Sequence, residues 1–272
     1  MLPSSNPNAV STGPFAAAAL WAAELMSAQG QPGAFQVLHR ALSSMLAFRN
    51  FIVLEYKDRH EPALLDSSFD RDYLLRHLHD YMLGLYQLDP FYAYADGAHA
   101  GLYRMREIAP EGFQQSEYYL RHYQATQVSD ELRVVIPLGP ERSVHLLIER
   151  EVPAAAYSQR AVQRLRDVVP FIQAFVIQHM RSTDQQPPSS PPAARSGFDL
   201  RSTILQLLPG EITTRECDIV ELMLKGHSVK SMSSQLAIEE ATVTNHKRNI
   251  YAKMRIHSQA QLFDRFLRVL GA

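Results

Sequence analysis

Three short runs of helical periodicity, crowded into residues 212–254, constrain this chain more than any other feature in it. Apolar residues recur at Ile219, Leu222 and Met223, then at Val229, Met232 and Leu236, then at Val243, Ile250 and Met254. That spacing lines one side of a helix. None of the three runs is long enough to be stable alone in water, so they must bury their stripes against one another. The punctuation agrees. Thr213 and Glu216 have the spacing of a capping box, in which side chain and backbone exchange hydrogen bonds at a helix start. Gly226 directly after Lys225 reads as a helix end. Ala237–Glu240 reads as a tight turn into the third helix.

The third helix carries the functional signal. With Val243 facing the core, steps of about 100° per residue put Ala241, Asn245, Arg248 and Ala252 on the opposite face, flanked by Thr244 and Asn249. No acidic residue occurs between Thr242 and Arg255. Small residues, an amide and a guanidinium on a face without carboxylates suit the major groove of DNA. Arginine and asparagine each make paired hydrogen bonds to base edges, and a helix-turn-helix presents its second helix there. Thr244, Asn245 and Arg248 are the expected base contacts. Thr242, at the positive start of the helix, is expected at a phosphate. Lys247 falls beside Val243, so its stem should lie along the core while its charge reaches another phosphate. An ordinary helical subdomain with a solvated basic face is the alternative reading of the same spacing.

This stretch also resembles the signature of LuxR-type helix-turn-helix regulators. Thr214, Arg215, Glu216, Gly226, Ser228, Lys230, Leu236, Ile238, Thr242, Val243, His246, Asn249, Ile250 and Lys253 are read as matching positions. The chain departs from the pattern at Ile212, Met232, Ser233 and Glu239. Glu239 replaces a capping serine, and a longer acid caps less well. The resemblance implies a bacterial transcription regulator that binds double-stranded DNA as a homodimer, with Lys230 and Lys253 near the phosphate backbone.

The remainder of the 272 residues reads as a separate unit. Residues 183–197, TDQQPPSSPPAARSG, are too polar and proline-rich to pack a core and are expected to be a semi-extended linker. The expected order is a lead at 1–14, a sensing and dimerisation domain at 15–182, the linker, and a DNA-binding domain at 198–272. In the second segment, Phe15–Met26 and Ala34–Leu46 read as helices, Phe51–Tyr56 as a buried strand, and Arg59–Asp66 as a loop. Asp70–Tyr86 and Glu111–Gln124 read as helical and Leu102–Gly112 as irregular or weakly extended. Leu132–Pro137 and Val144–Ile148 read as a hairpin. Ser158–Met180 reads as a long helix that Pro170 could kink. The fold class is therefore α+β, helices on an antiparallel sheet, joined to an all-α C-terminal domain.

The middle of the chain is rich in tyrosine and phenylalanine, side chains that combine apolar area with a hydrogen-bonding end and suit a small-molecule pocket. An aromatic core without a ligand accounts for the same composition. The order Phe51–Tyr56, Tyr81, Asp89-Pro90 resembles the autoinducer-binding domains of quorum-sensing LuxR proteins. That resemblance implies that Asp89 accepts a hydrogen bond from a ligand amide, with Tyr56, Tyr81, Phe91, Tyr92 and Tyr119 around it. The lactone-contacting tryptophan of that pattern has no counterpart, because Trp21 lies outside the window. The expected effector is therefore another metabolite rather than an acyl-homoserine lactone. Glu55, Asp89, Asp130 and Glu131 lie close to tyrosines in sequence, which favours an amine.

Other chemistries find no foothold. His77 and His79 are two apart and point to different helix faces, and no metal-ligand spacing accompanies them. There is no GxSxG elbow and no glycine-rich phosphate loop, so neither an enzyme nor a cofactor is expected. The one cysteine, Cys217, fits a reducing cytoplasm, and no segment reads as membrane-spanning. The reading is a ligand-responsive regulator. The runner-up is a regulator whose first domain only dimerises or meets a protein partner.

Overall fold

Alternation along three strands decides which side of the sheet each element covers. In a strand, successive side chains point to opposite faces. Phe51 and Val53, Leu132, Val134 and Ile136, and Val144, Leu146 and Ile148 share one buried core. Their sequence neighbours Ile52, Leu54, Tyr56 and Leu147 belong to another. A computed structural model describes residues 14–58, 61–69, 78–185, 199–207 and 212–271. The expected linker lies outside the described residues except for 183–185, as do 1–13 of the lead and 70–77 of the expected helix.

Helices α1 (Pro14–Ala28) and α2 (Ala34–Met45) precede strands β1 (Asn50–Lys57) and β2 (Ala63–Ser67). Helix α3 (His79–Leu83) and two 3-10 turns (Leu85–Leu88 and Pro90–Tyr94) lead to β3 (Gly101–Arg104) and the single turn α4 (Met105–Ile108). The long hairpin β4 (Val128–Gly139) and β5 (Arg142–Glu151) is followed by α5 (Gln159–Asp184). The five strands form one sheet in the order β2-β1-β5-β4-β3, with every pair antiparallel. Residues of α1, α2 and α5 join the first strand face in a single core. Ser158 caps α5 by accepting from the Ala161 amide, and the helix continues through Pro170.

The structure departs from the sequence expectation in several places, among them Met105–Ile108, a helical turn where an irregular or weakly extended segment is expected. Residues 63–67 are a strand rather than loop, because they complete the ladder of β1 with Ile52 opposite Ser67. The expected helix over 70–86 stops at Leu83, where Gly84 adopts φ 146°, a backbone open to glycine alone at low cost. Residues 111–124 form a 3-10 turn (Phe113–Gln115) and a π-helical turn (Tyr119–Tyr123) instead of one helix. Here the Ser116 hydroxyl bonds both the Phe113 carbonyl and the Tyr119 amide, competing with regular helix bonds.

The C-terminal region is all helical: α6 (Leu200–Leu207), α7 (Thr214–Leu224), α8 (Val229–Leu236), α9 (Glu240–Met254) and α10 (Gln259–Leu270). α6 has no counterpart in the sequence expectation. The capping box of Thr213 and Glu216 is present in full. Glu239 stands before α9 without a capping bond from its side chain. Among the described residues, no helix is long and apolar enough to cross a membrane.

Candidate ligand cavity and nucleic-acid interface

A cavity of about 50 Å³ lies on the sheet face opposite α1, α2 and α5. It has room for on the order of four water-sized groups. Ile52, Leu54 and Leu147 make its apolar floor, and Asp89, Tyr118, His122, Arg133 and Glu149 bring polar atoms to its wall. The polar residues come from two turns and two strands, so only the folded sheet assembles them.

Arg133 is the hub. It stands mid-strand in β4, 1% exposed, with Nη2 2.5 Å from Glu131 Oε1 and Nη1 3.0 Å from Asp89 Oδ2. Its guanidinium lies over the Phe91 ring at 4.0 Å. Burial by itself would make Arg133 easier to deprotonate, but Asp89 and Glu131 outweigh it and hold the charge in place. The Arg133–Asp89 contact is close yet too poorly aligned to count as a hydrogen bond from Nη1. Asp89 is otherwise well occupied. Its Oδ2 accepts from the Tyr81 hydroxyl at 2.9 Å and its Oδ1 from the Phe91 amide at 2.9 Å. Tyr81 meets the Tyr56 hydroxyl at 2.7 Å.

The acids singled out in the sequence are each matched to an arginine. Glu55 meets Arg142 at 2.7 Å, Asp130 pairs with Arg104, and Glu131 and Asp89 share Arg133. The sequence reading passed over Glu149. It lies opposite Glu131 in the β4–β5 register, and among the described residues it makes no ion pair, although the charge of Arg133 acts on it. Its Oε2 accepts from Asn50 Nδ2 at 3.1 Å. Burial first, then the charge of Glu131, pushes its carboxyl up to about 8. Burial raises Glu131 as well. The Tyr118 hydroxyl is buried without a hydrogen-bond partner among the described residues.

Of the six residues expected at a pocket, Tyr81 and Asp89 line this cavity, and Tyr56 stands behind them through its hydroxyl contact. Phe91 packs beneath Arg133, Tyr92 packs against Tyr56 and Tyr86, and Tyr119 lines a neighbouring cleft of about 380 Å³. One signal for Arg133 was legible. An arginine inside the apolar run Leu132–Ile136 is costly unless carboxylates await it.

In the C-terminal helices, Val243, Ile250 and Met254 are buried while Ala241, Thr244, Asn245, Arg248, Asn249 and Ala252 are exposed. Arg248 Nη2 donates to Asn245 Oδ1 at 3.1 Å, and the Thr244 hydroxyl donates back to the Glu240 carbonyl at 2.9 Å. Thr244, Lys247, Arg248 and Arg255 share one open concavity of about 780 Å³ with Val229, at the start of α8. Lys247 is half-buried, and burial lowers its ammonium from the usual range. Thr242 is half-buried in the first turn of α9, and Lys230 is exposed. Lys253 reaches Glu216 at 2.8 Å, so its charge also serves the capping box. Among the described residues, no carboxylate pairs with Lys230, Lys247, Arg248 or Arg255.

Residues 211–266 match the family of bacterial regulatory proteins known as the luxR family, GerE. This part of the chain is a luxR-type domain. Over 185 residues the chain is 28% identical to a protein of Aeromonas salmonicida described as an HTH-type transcriptional regulator in the exeN 3′ region, covering 66% of this chain and 93% of that protein. It is 24% identical over 148 residues to the monoamine regulon transcriptional regulator of Klebsiella aerogenes, covering 54% of each. The N-terminal fold is similar to the crystal structure of the VqsR LBD domain from Pseudomonas aeruginosa. That likeness has a TM-score of 0.54 and 23% identity, and covers 61% of this chain and 98% of that one. It is a likeness of fold.

Residues 110–123 join the luxR-type domain to the cavity. Tyr118, His122 and Tyr123 line the cavity. From the same stretch, Arg121 pairs with Asp264 of α10 and lies 5.5 Å from the Phe263 ring centre. Gly112 fits so closely against the α7–α8 turn that a Cβ there would come within 2.7 Å of the Gly226 carbonyl oxygen. Nearby, Gln87 Oε1 accepts from the Leu200 amide at 2.7 Å.

Proposed function

We propose that this chain is a bacterial, cytoplasmic transcription regulator that binds double-stranded DNA as a homodimer through its luxR-type domain. Its N-terminal domain, 15–182, senses a compact metabolite, and residues 183–197 link it to the DNA-binding domain at 198–272. The observation that carries the DNA half is the exposed face of α9 beyond its first turn, where Lys247, Arg248 and Arg255, with Lys230 of the neighbouring α8, stand without acidic partners among the described residues. Cations left unpaired on one surface attract a polyanion. Thr244, Asn245 and Arg248 read bases; Lys230, Thr242 and Lys247 meet phosphates, and Lys253 does so by exchanging Glu216 for the backbone.

The sensing half is supported by the cavity, by the Tyr118 hydroxyl on its wall, which has no hydrogen-bond partner among the described residues, and by the 110–123 stretch that touches both cavity and luxR-type domain. An effector that shifts Tyr118 or Tyr123 moves the same backbone that Arg121 ties to α10. A long acyl tail does not fit a cavity of about 50 Å³, which argues against an acyl-homoserine lactone. An amine fits the excess of carboxylates around Arg133, and one relative bears the name of a monoamine regulon regulator.

Two measurements test these halves. Arg248→Ala is expected to cost about 1–3 kcal/mol on a DNA site selected from a random pool and to blur the preference at one base pair. Lys230→Ala should weaken selected and scrambled DNA alike and reduce the salt slope by about one unit. Equal weakening of both DNAs by Arg248→Ala would make that residue a phosphate contact and overturn the orientation of α9. For the sensing half, a thermal-shift screen of metabolites on the full chain is expected to find at least one compact stabiliser. A blank screen would favour a first domain that only dimerises or binds a protein.

A further inference from the structure

The cavity brings three buried carboxylates, those of Asp89, Glu131 and Glu149, to a single guanidinium, Arg133. Asp89 and Glu131 already exceed the charge of Arg133 by one. Glu149 adds a third acid directly across the strand pair from Glu131; it accepts from the amide of Asn50 and, among the described residues, makes no ion pair of its own. An isolated buried carboxylate is costly unless it is paired or neutralised. The cavity wall also holds the Tyr118 hydroxyl, 1% exposed and without a hydrogen-bond partner among the described residues. A phenol hydroxyl can both donate and accept, so it suits a ligand that brings its own N–H.

We propose that the cavity takes a compact primary ammonium, held by the Glu149 carboxylate with the Tyr118 hydroxyl accepting one of its N–H bonds. This rests on the reading of the cavity as the effector site. The groups that face Glu149 are Glu131 and Arg133 from β4, Asn50 from β1, Glu151 from its own strand, and Tyr157 ahead of α5. Asp89 acts through Arg133, and His122 stands on the opposite wall. With its carboxyl pushed up to about 8, Glu149 is protonated at neutral pH in the ligand-free protein. The ammonium therefore displaces that proton to solvent: a carboxylic acid and an alkylammonium become an ion pair and one released proton. Amine affinity then rises about tenfold per pH unit up to about 8 and levels off above it.

The test is isothermal titration of the full chain between pH 6 and pH 9 with ethylamine and n-propylamine, each against its neutral counterpart, ethanol or 1-propanol. The amines should bind with release of about one proton and the tenfold slope, and the alcohols with no slope. Glu149→Gln should remove the slope and weaken amine binding at least tenfold at pH 8, leaving the alcohols unchanged. Because glutamine mimics the protonated acid, that variant should melt with the parent at pH 5 and above it at pH 8. The sign follows from the raised acid, whose deprotonation costs the native state as pH climbs from the ordinary carboxylate range to about 8. Tyr118→Phe provides a second arm and should lose several-fold in amine affinity while keeping the slope.

A flat amine profile, full amine affinity in Glu149→Gln or Tyr118→Phe, or a slope that vanishes in His122→Asn instead would overturn the proposal. Alcohol binding without amine binding would overturn it and leave the cavity as a site for neutral ligands. Binding of neither class at any pH would remove the effector reading of the cavity along with the proposal.

Discussion

Arg133→Met is expected to destabilise the N-terminal part of the protein by about 3–5 kcal/mol, the range for removing one partner of a buried ion pair. The cause is what remains behind. Asp89 and Glu131 are both almost fully buried and share this guanidinium, so its loss leaves two carboxylates without a countercharge in a low-dielectric interior. Methionine keeps much of the volume above the Phe91 ring, so packing accounts for little of the effect. Neutralising the acids should recover part of it. Arg133→Met combined with Asp89→Asn and Glu131→Gln is expected to be more stable than Arg133→Met alone, because replacing all buried charges by neutral groups is far less costly than orphaning some of them. Denaturant midpoints for the parent and both variants check this. A loss below about 1 kcal/mol for Arg133→Met would mean that water reaches the cluster and screens it.

Phe266→Asp is expected to unfold the luxR-type domain. Phe266 is fully buried on α10 beside Leu262 and Phe263, in a core shared with Ile204 of α6 and Ile219, Val220 and Met223 of α7. Losing a buried phenylalanine costs about 3–5 kcal/mol before any charge is considered, and an unpaired carboxylate in that core adds to it. Far-UV circular dichroism and native mass read the outcome. Loss of helical signal shows α10 closing the domain. A folded protein whose mass falls to that of a monomer would put the stripe at a dimer contact instead. Unchanged helicity and mass would exclude both roles. Leu267 and Leu270 are half-buried and Val269 is 39% exposed, so the rim of the same helix remains available to a second copy.

The two halves of this protein were unequally legible in sequence, for a physical reason. The helices of the luxR-type domain announce themselves because their determinants are local. A stripe at positions three and four apart, a capping box, and a helix-ending Gly226 with φ +83° all act within one or two turns. The exposed face of α9 follows from the same periodicity. The hairpin of β4 and β5 and the long α5 were equally plain. Residues 111–124 were misread because Ser116 and a cluster of stacked aromatics override a helical pattern with contacts the pattern does not contain. The strand at 63–67 was misread because it exists only by pairing with β1.

The cavity was legible in its ingredients and hidden in its arrangement. Asp89 and Tyr81 could be picked out by resemblance, and tyrosines among acids suggested a pocket. Which acids face it could not be read. Sequence alone determined three helices, the capping box and glycine end of the first, and a carboxylate-free face on the third, since each rests on neighbours within a few residues. The tertiary structure alone decided that Glu55 and Asp130 are paired off to Arg142 and Arg104, and that Glu149 lies across from Glu131 in a cavity wall shared with Tyr118, whose hydroxyl has no hydrogen-bond partner among the described residues. Strand register sets those pairings, and register joins residues that are far apart in the chain through backbone hydrogen bonds that any side chain allows.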